Sequence, residues 1–243
     1  RPPRARVPCA DGRYFTADLS NRPIPDTIMQ HHACSPPRLI LASSSRYRRE
    51  LLERLRVPFD VVAPEIDETP LPDETPCATA LRLAAAKARA AAERARAPHG
   101  ALVIGSDQVA TFDGLQIGKP GTHARALAQL QAMRGRDVEF HSALCLYDSR
   151  SGATQSEDIV TRVRFRTLTD VELDAYLRAE TPYDVAGSAK SEGLGIALLD
   201  AIDSDDPTAL VGLPLIALTR MLRAAGYPLF GAPAPAADGV NGR

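Results

Sequence analysis

Leu39-Ile40-Leu41-Ala42-Ser43-Ser44-Ser45-Arg46-Tyr47-Arg48-Arg49-Glu50-Leu51-Leu52-Glu53-Arg54-Leu55 decides how the rest of the chain is read. Residues 39–41 are a short apolar run, the length of a buried strand, and three hydroxyl residues then break it. From Arg49 onward the apolar positions Leu51, Leu52 and Leu55 recur at helical spacing. The order is strand, serine turn, helix. The opening of a helix aims unpaired N–H groups and the positive end of its dipole at the space before it. Here Ser43, Ser45, Arg46, Arg48 and Arg49 line that space as well, a set suited to a phosphate group. The plainer alternative is a serine that only caps the helix and arginines that are solvated.

Composition narrows the class. The 243 residues suffice for one large domain or two small lobes with a buried core. A formal net charge of −1 leaves no basic field to attract nucleic acid, so any anion site has to be a local cluster. No apolar run approaches the roughly 20 residues of a membrane span. Cys9, Cys34, Cys77 and Cys145 are widely spaced without metal-type pairing, which fits a reducing, cytoplasmic compartment. Residues 1–37 are proline-rich and aperiodic, the composition of a disordered extension, and Met29 within them is an expected translation start. Residues 231–243 read as a disordered tail, which leaves residues 38–230 as one expected catalytic domain.

Along that domain, residues 59–63 read as a strand and lead into an acidic loop carrying Asp67 and Glu68. Such a loop is either merely solvated or, beside a phosphate cradle, a source of metal ligands. Thr75-Pro76 opens an alanine-rich helix to about Arg96, whose lone lysine, Lys87, reads on its own as a surface residue. Residues 101–104 and 109–112 read as two strands separated by Gly105-Ser106-Asp107-Gln108. Asp107 is then either a turn residue or a carboxylate placed for chemistry at a strand end. Lys119, between Gly118 and Pro120, sits in a stiff loop and loses little freedom on holding a ligand. Helices follow Thr122 and Thr169, the latter through a capping box with Glu172, and residues 137–147 and 155–165 read as an antiparallel pair. Residues 186–195 set Lys190 and Glu192 among three glycines, either as a flexible loop or as a ligand-facing one, ahead of a strand at 196–199. A last helix spans residues 215–222.

Several of these stretches, in order, resemble the Maf family of nucleoside triphosphate pyrophosphatases. They are Leu41-Ala-Ser-Ser-Ser-Arg-Tyr-Arg-Arg49, Glu65-Ile-Asp-Glu68, Gly105-Ser-Asp-Gln-Val109, Gly118-Lys-Pro120 and Val211-Gly-Leu-Pro214, within residues 39–229. The resemblance implies an α/β fold of the Maf and inosine triphosphate pyrophosphatase type, with a central mixed β-sheet, flanking helices and two lobes around a deep cleft. It also implies a homodimer and hydrolysis of a nucleoside triphosphate to monophosphate and pyrophosphate with Mg²⁺ or Mn²⁺. By the same resemblance Asp107 is the general base. Arg48, Lys87 and Lys119 neutralise phosphates and Ser43 and Ser45 bind substrate, while Arg49 beside the serine turn and Lys190 among its glycines are expected substrate-binding residues from their own placement. Asp67, Glu68 and Asp107 are the expected metal carboxylates. Arg46 stands where family members usually have proline.

The chain resembles the 7-methyl-GTP branch, in which positions matching Tyr47, Gln108 and Glu192 set specificity. Tyr47 offers a stacking face, and an ionised Glu192 accepts the two adjacent donors of guanine. Tryptophan often stands in that branch where this chain has Tyr47. The alternatives are a dTTP/UTP pyrophosphatase of the same family, a nucleotide-binding regulator of cell division without turnover, and a phosphomonoesterase.

Overall fold

The computed structural model describes residues 36–96 and 100–230, together with the backbone of two short strands ahead of them. Those strands, β1 (Ala5–Pro8) and β2 (Tyr14–Ala17), pair antiparallel within a separate unit, Arg1–Ser35. The rest of the expected N-terminal extension, with Met29, and the expected tail at 231–243 lie outside the described residues.

The second unit, Pro36–Arg243, is built on a seven-stranded mixed sheet. Its strands are β3 (Arg38–Ala42), β4 (Asp60–Val61), β5 (Ala101–Phe112), β6 (Leu115–Ile117), β7 (Asp137–Asp148), β8 (Thr154–Phe165) and β9 (Leu199–Asp203). They lie in the order β4-β3-β5-β7-β8-β9, with β6 added to β5. β3 runs parallel to β4 and β5, and every other pairing is antiparallel. Five helices flank the sheet: α1 (Arg46–Glu53), α2 (Pro76–Arg94), α3 (His123–Met133), α4 (Asp170–Glu180) and α5 (Leu215–Ala224). This is the expected α/β fold on a central mixed sheet. Among the described residues no helix is long and apolar enough to cross a membrane.

Local chemistry sets the helix starts. Ser45, Thr75, Thr122 and Thr169 each accept from a backbone N–H in the first turn that follows. Pro214 precedes α5 without a side-chain cap, and the buried Asp206 substitutes: its Oδ2 accepts from Ile216 N at 2.7 Å and Ala217 N at 3.3 Å. Alternation along the strands then divides the core. Ile40, Val103, Ala143 and Cys145 face the alanines of α2. Leu41, Ile104 and Leu144 face Leu52 of α1 and Leu218 of α5. Ala110, Val138 and Val163 meet α3 and α4.

Four sequence readings change. The two strands expected at 101–104 and 109–112 are one twelve-residue strand, because β7 pairs with it continuously from Leu102 to Thr111. Asp107 and Gln108 are therefore held in a strand and not in a turn. The strand expected at 59–63 contracts to Asp60–Val61. Residues 194–198 coil as a 3₁₀ turn, in which Gly195 presses on the Lys190 backbone, and the strand begins only at Leu199. α1 starts at Arg46, three residues before the apolar periodicity begins.

One consequence positions the chemistry. On one edge of β5, residues 101–105 pair with β3 and residues 110–112 pair with β6. Ser106 to Val109 fall between these partners, opposite the point where β3 ends and the serine turn begins.

Candidate active site

Strand alternation sends Asp107 to the α2 face of the sheet and Gln108 to the opposite face. Asp107 meets Lys87 because α2 lies unusually close to β5. A Cβ on Gly105 would stand 2.0 Å from the Ala84 carbonyl oxygen, so only glycine permits this approach. Ala84 and Ala88, both fully buried, keep the helix side of the contact equally small. Lys87 is 5% exposed, and its Nζ lies 2.7 Å from Asp107 Oδ1 and 2.7 Å from Glu68 Oε1. One ammonium thus gathers two carboxylates, one from strand β5 and one from the acidic loop. Burial works against the charged form of Glu68, but the Lys87 hydrogen bond and charge, with Lys119 and Arg48 behind them, hold its pKa below the ordinary value.

The serine turn closes the other side. Ser43 is buried and its Oγ accepts from Ser45 N at 3.0 Å. Ser45 caps α1 by accepting from Arg48 N. Arg48 Nε donates to the Gly212 carbonyl at 2.9 Å, and Ser106 Oγ donates to the same oxygen at 2.9 Å. Desolvation pushes the Arg48 pKa below its usual value, against the pull of Asp107 and Glu68. A guanidinium anchored at Nε and short of water is disposed to take an anion on its remaining N–H groups. Ser43, Arg48, Glu68, Lys87, Asp107 and Lys119 line one cavity of about 650 Å³.

A smaller pocket of about 50 Å³ adjoins it, lined by Glu192, Phe140 and Phe165 and sharing Tyr47 and Gln108 with the larger cavity. Gln108 Nε2 has three acceptors within reach for its two N–H groups, Ser142 Oγ at 2.9 Å, Ala209 O at 3.1 Å and Leu210 O at 3.0 Å. Ser142 Oγ in turn donates to Ala209 O at 2.8 Å. Two backbone carbonyls therefore fix the amide orientation and use up its N–H groups. What Gln108 has left for the pocket is an acceptor, its carbonyl oxygen, and Glu192 adds a carboxylate. Arg46 lies over the Tyr47 ring, 4.7 Å from its centroid, and donates to the Tyr47 hydroxyl at 3.1 Å. Arg46 thus braces the Tyr47 ring.

The structure does not bring every expected residue here. Arg49 is exposed and pairs with Glu53 one turn along α1. Lys190 folds under the loop, its Nζ 3.8 Å from both Glu180 and Asp184, and it lines neither cavity. Asp67 turns away to accept from Thr69 N and Oγ1, at 2.9 Å and 2.6 Å. Of the three expected metal carboxylates, Asp107 and Glu68 converge on one cationic point and supply the hard oxygen donors that Mg²⁺ or Mn²⁺ prefers; Asp67 does not join them. The sequence reading took Gly105 only as a strand end and passed over Ser142 and the carbonyl of Gly212. Only the match at Val211-Gly-Leu-Pro214 pointed towards the last.

A family model described as Maf-like protein matches residues 38–225. A 7-methyl-GTP pyrophosphatase of Burkholderia thailandensis is 92% identical over 215 residues, 88% of this chain and 100% of that protein. Proteins of the same name from Burkholderia lata and Burkholderia orbicola are each 80% identical over 207 residues, 85% of this chain and 96% of theirs.

Proposed function

The chain belongs to the Maf family, and on that premise we propose that it hydrolyses 7-methyl-GTP to 7-methyl-GMP and pyrophosphate, clearing a modified nucleotide from the pool. The observation that carries this reading is the pocket that sets the Glu192 carboxylate beside Gln108, whose N–H groups are taken by backbone carbonyls, and that opens onto a cavity with paired carboxylates and three cations. The guanine edge presents N1–H and N2–H₂ side by side, two donors for the oxygens of Gln108 and Glu192. Uracil and thymine present one donor flanked by carbonyl oxygens, which those same acceptors repel. Methylation at N7 adds positive charge to the base, favouring both the Tyr47 face and a nearby carboxylate. The free thiols of Cys77 and Cys145 suit a reducing, cytoplasmic setting.

In this reading the triphosphate lies across the serine turn, where the first N–H groups of α1 and the free guanidinium N–H groups of Arg48 meet its oxygens. Lys119 adds charge from the opposite loop. Asp107, held through Oδ1 by Lys87, takes the proton of the attacking water at Oδ2 and orients it on the α-phosphorus. Lys87 keeps Asp107 and Glu68 aligned. A divalent cation held by Asp107 and Glu68 would neutralise charge building on the pyrophosphate leaving group.

The test is to incubate the protein with Mg²⁺ or Mn²⁺ and a panel of methylated and unmethylated nucleotides, identifying the products. Pyrophosphate released fastest from 7-methyl-GTP is expected. Preference for dTTP or UTP, release of orthophosphate, or tight binding without turnover would each overturn the proposal.

A further inference from the structure

A second group of metal-ligating side chains lies on the α2 face of the sheet, away from the cavity. Cys77 is in the first turn of α2, His141 is on β7 and Asp158 is on β8. One ligand-type atom from each lies within 4.8 Å of the others. The pleat explains the meeting. Asp158 is directly opposite Ala143, and His141 is two residues from Ala143 on the same face, which packs on α2. None of the three lines either cavity.

Two details point to a ligand. His141 Nδ1 is 2.6 Å from Asp158 Oδ2, so the ring is already held by a carboxylate. The other carboxylate oxygen, Asp158 Oδ1, is buried without a hydrogen-bond partner, on a side chain only 10% exposed. The Cys77 thiol lies beside the same carboxylate, and a buried carboxylate oxygen left without a hydrogen-bond partner is unusual in a folded protein and calls for a cation or a donor. Cys77 is part-exposed and leaves a way in from solvent.

We propose that Cys77, His141 and Asp158 form a second cation site that takes a zinc-class divalent ion. Sulfur, imidazole nitrogen and carboxylate oxygen together suit Zn²⁺ and Co²⁺, whereas Mg²⁺ and Mn²⁺ prefer all-oxygen sets such as Asp107 with Glu68. Binding forms the metal–sulfur bond as the Cys77 thiol gives up its proton to solvent. Three protein ligands leave a fourth position for water on the open side. The ion ties the first turn of α2 to β7 and β8. Lys87 lies ten residues further along that helix, about 15 Å away, so the site braces the element that supplies the active-site ammonium.

The experiment uses the full chain, stripped with chelator and kept in excess Mg²⁺. Cys9, His31, His32 and Cys34 are replaced in a control, because they bring thiols and imidazoles of their own. Co²⁺ is expected to bind at one equivalent with a thiolate-to-cobalt charge-transfer band, and Zn²⁺ to displace it and raise Tm. Cys77→Ser should lose the band and the rise in Tm, while Asp107→Asn should keep both. In the unsubstituted protein, Zn²⁺ should protect Cys77 from alkylation, mapped by mass spectrometry, a readout that needs no variant to fold. No band, a band that survives Cys77→Ser, or undiminished alkylation of Cys77 in Zn²⁺ would overturn the proposal.

Discussion

Adding one methyl group at Gly105 tests the packing that delivers Lys87 to Asp107. In Gly105→Ala the new Cβ would stand 2.0 Å from Ala84 O, 2.8 Å from Ala88 N and 2.9 Å from Ala88 Cβ. No flexible side-chain end is among these neighbours, so the elements themselves have to separate. Restoring an ordinary contact of 3.4 Å to the Ala84 oxygen needs a movement of about 1.4 Å between α2 and β5. Lys87 rides on α2, one turn past Ala84, and its two ion-pair distances are both 2.7 Å. A shift of that size carries them to about 4 Å, the outer limit of an ion pair.

Misplacing a catalytic group by about 1 Å costs on the order of 10²-fold in turnover. Overpacking adds a stability loss of about 1–3 kcal/mol, and each kcal/mol lowers Tm by about 2–4 °C in a chain of this size. The assay is steady-state pyrophosphate release beside a thermal melt. The expected signature is a fall in kcat far larger than the change in KM, in a protein still folded at the assay temperature. Wild-type kcat with wild-type Tm would refute the idea that Gly105 sets the distance between helix and strand.

Three further outcomes are expected. Asp107→Asn keeps an oxygen for Lys87 but removes the base, so kcat should fall about 10²–10⁴-fold with the melt little changed; near-wild-type turnover would take Asp107 out of that role. Glu192→Gln exchanges an acceptor oxygen for a donor N–H₂ in the base pocket, so kcat/KM for 7-methyl-GTP should drop about 10–100-fold while UTP is spared. Equal losses on every nucleotide would end the base-reading assignment. Glu74 binds Arg82 through both oxygens and also accepts from Leu71 N and Thr79 Oγ1, and the Arg82 hydrogen bonds lead in lowering its pKa from 4.5 to about 2. Because the folded value lies below the unfolded one, this stabilisation is complete above pH 4.5 and disappears as pH falls towards 2. Glu74→Gln should therefore flatten the acid side of the Tm–pH curve, and parallel curves for the two proteins would rule the contribution out.

What the sequence disclosed depended on how far apart the partners lie along the chain. Caps are local, and Ser45, Thr75, Thr122 and Thr169 open their helices as their residue types dictate. The alanines of α2 marked a helix, but nothing near Lys87 named its partner. Asp107 is twenty residues away, and the helix–strand approach that joins them depends on Gly105. That glycine, with Ser106, instead resembled a break between strands, because the pairing of β5 with β7 that keeps the strand whole is long-range. The resemblance to a family corrected Lys87, yet it could not set side-chain direction. Arg49 follows Arg48 by one residue, so it points about 100° round the helix, and its ion pair with Glu53 was readable from the i,i+4 spacing alone. Gln108 is the opposite case. Its residue type permits donor and acceptor roles equally, and only the carbonyls of Ala209 and Leu210, some hundred residues on, remove the donors from the pocket. On the proposed reading, nucleotide choice rests on backbone oxygens that contribute no side chain and leave no motif, and a change in the path of residues 209–212 is expected to alter it while every residue of the signature stretches stays the same.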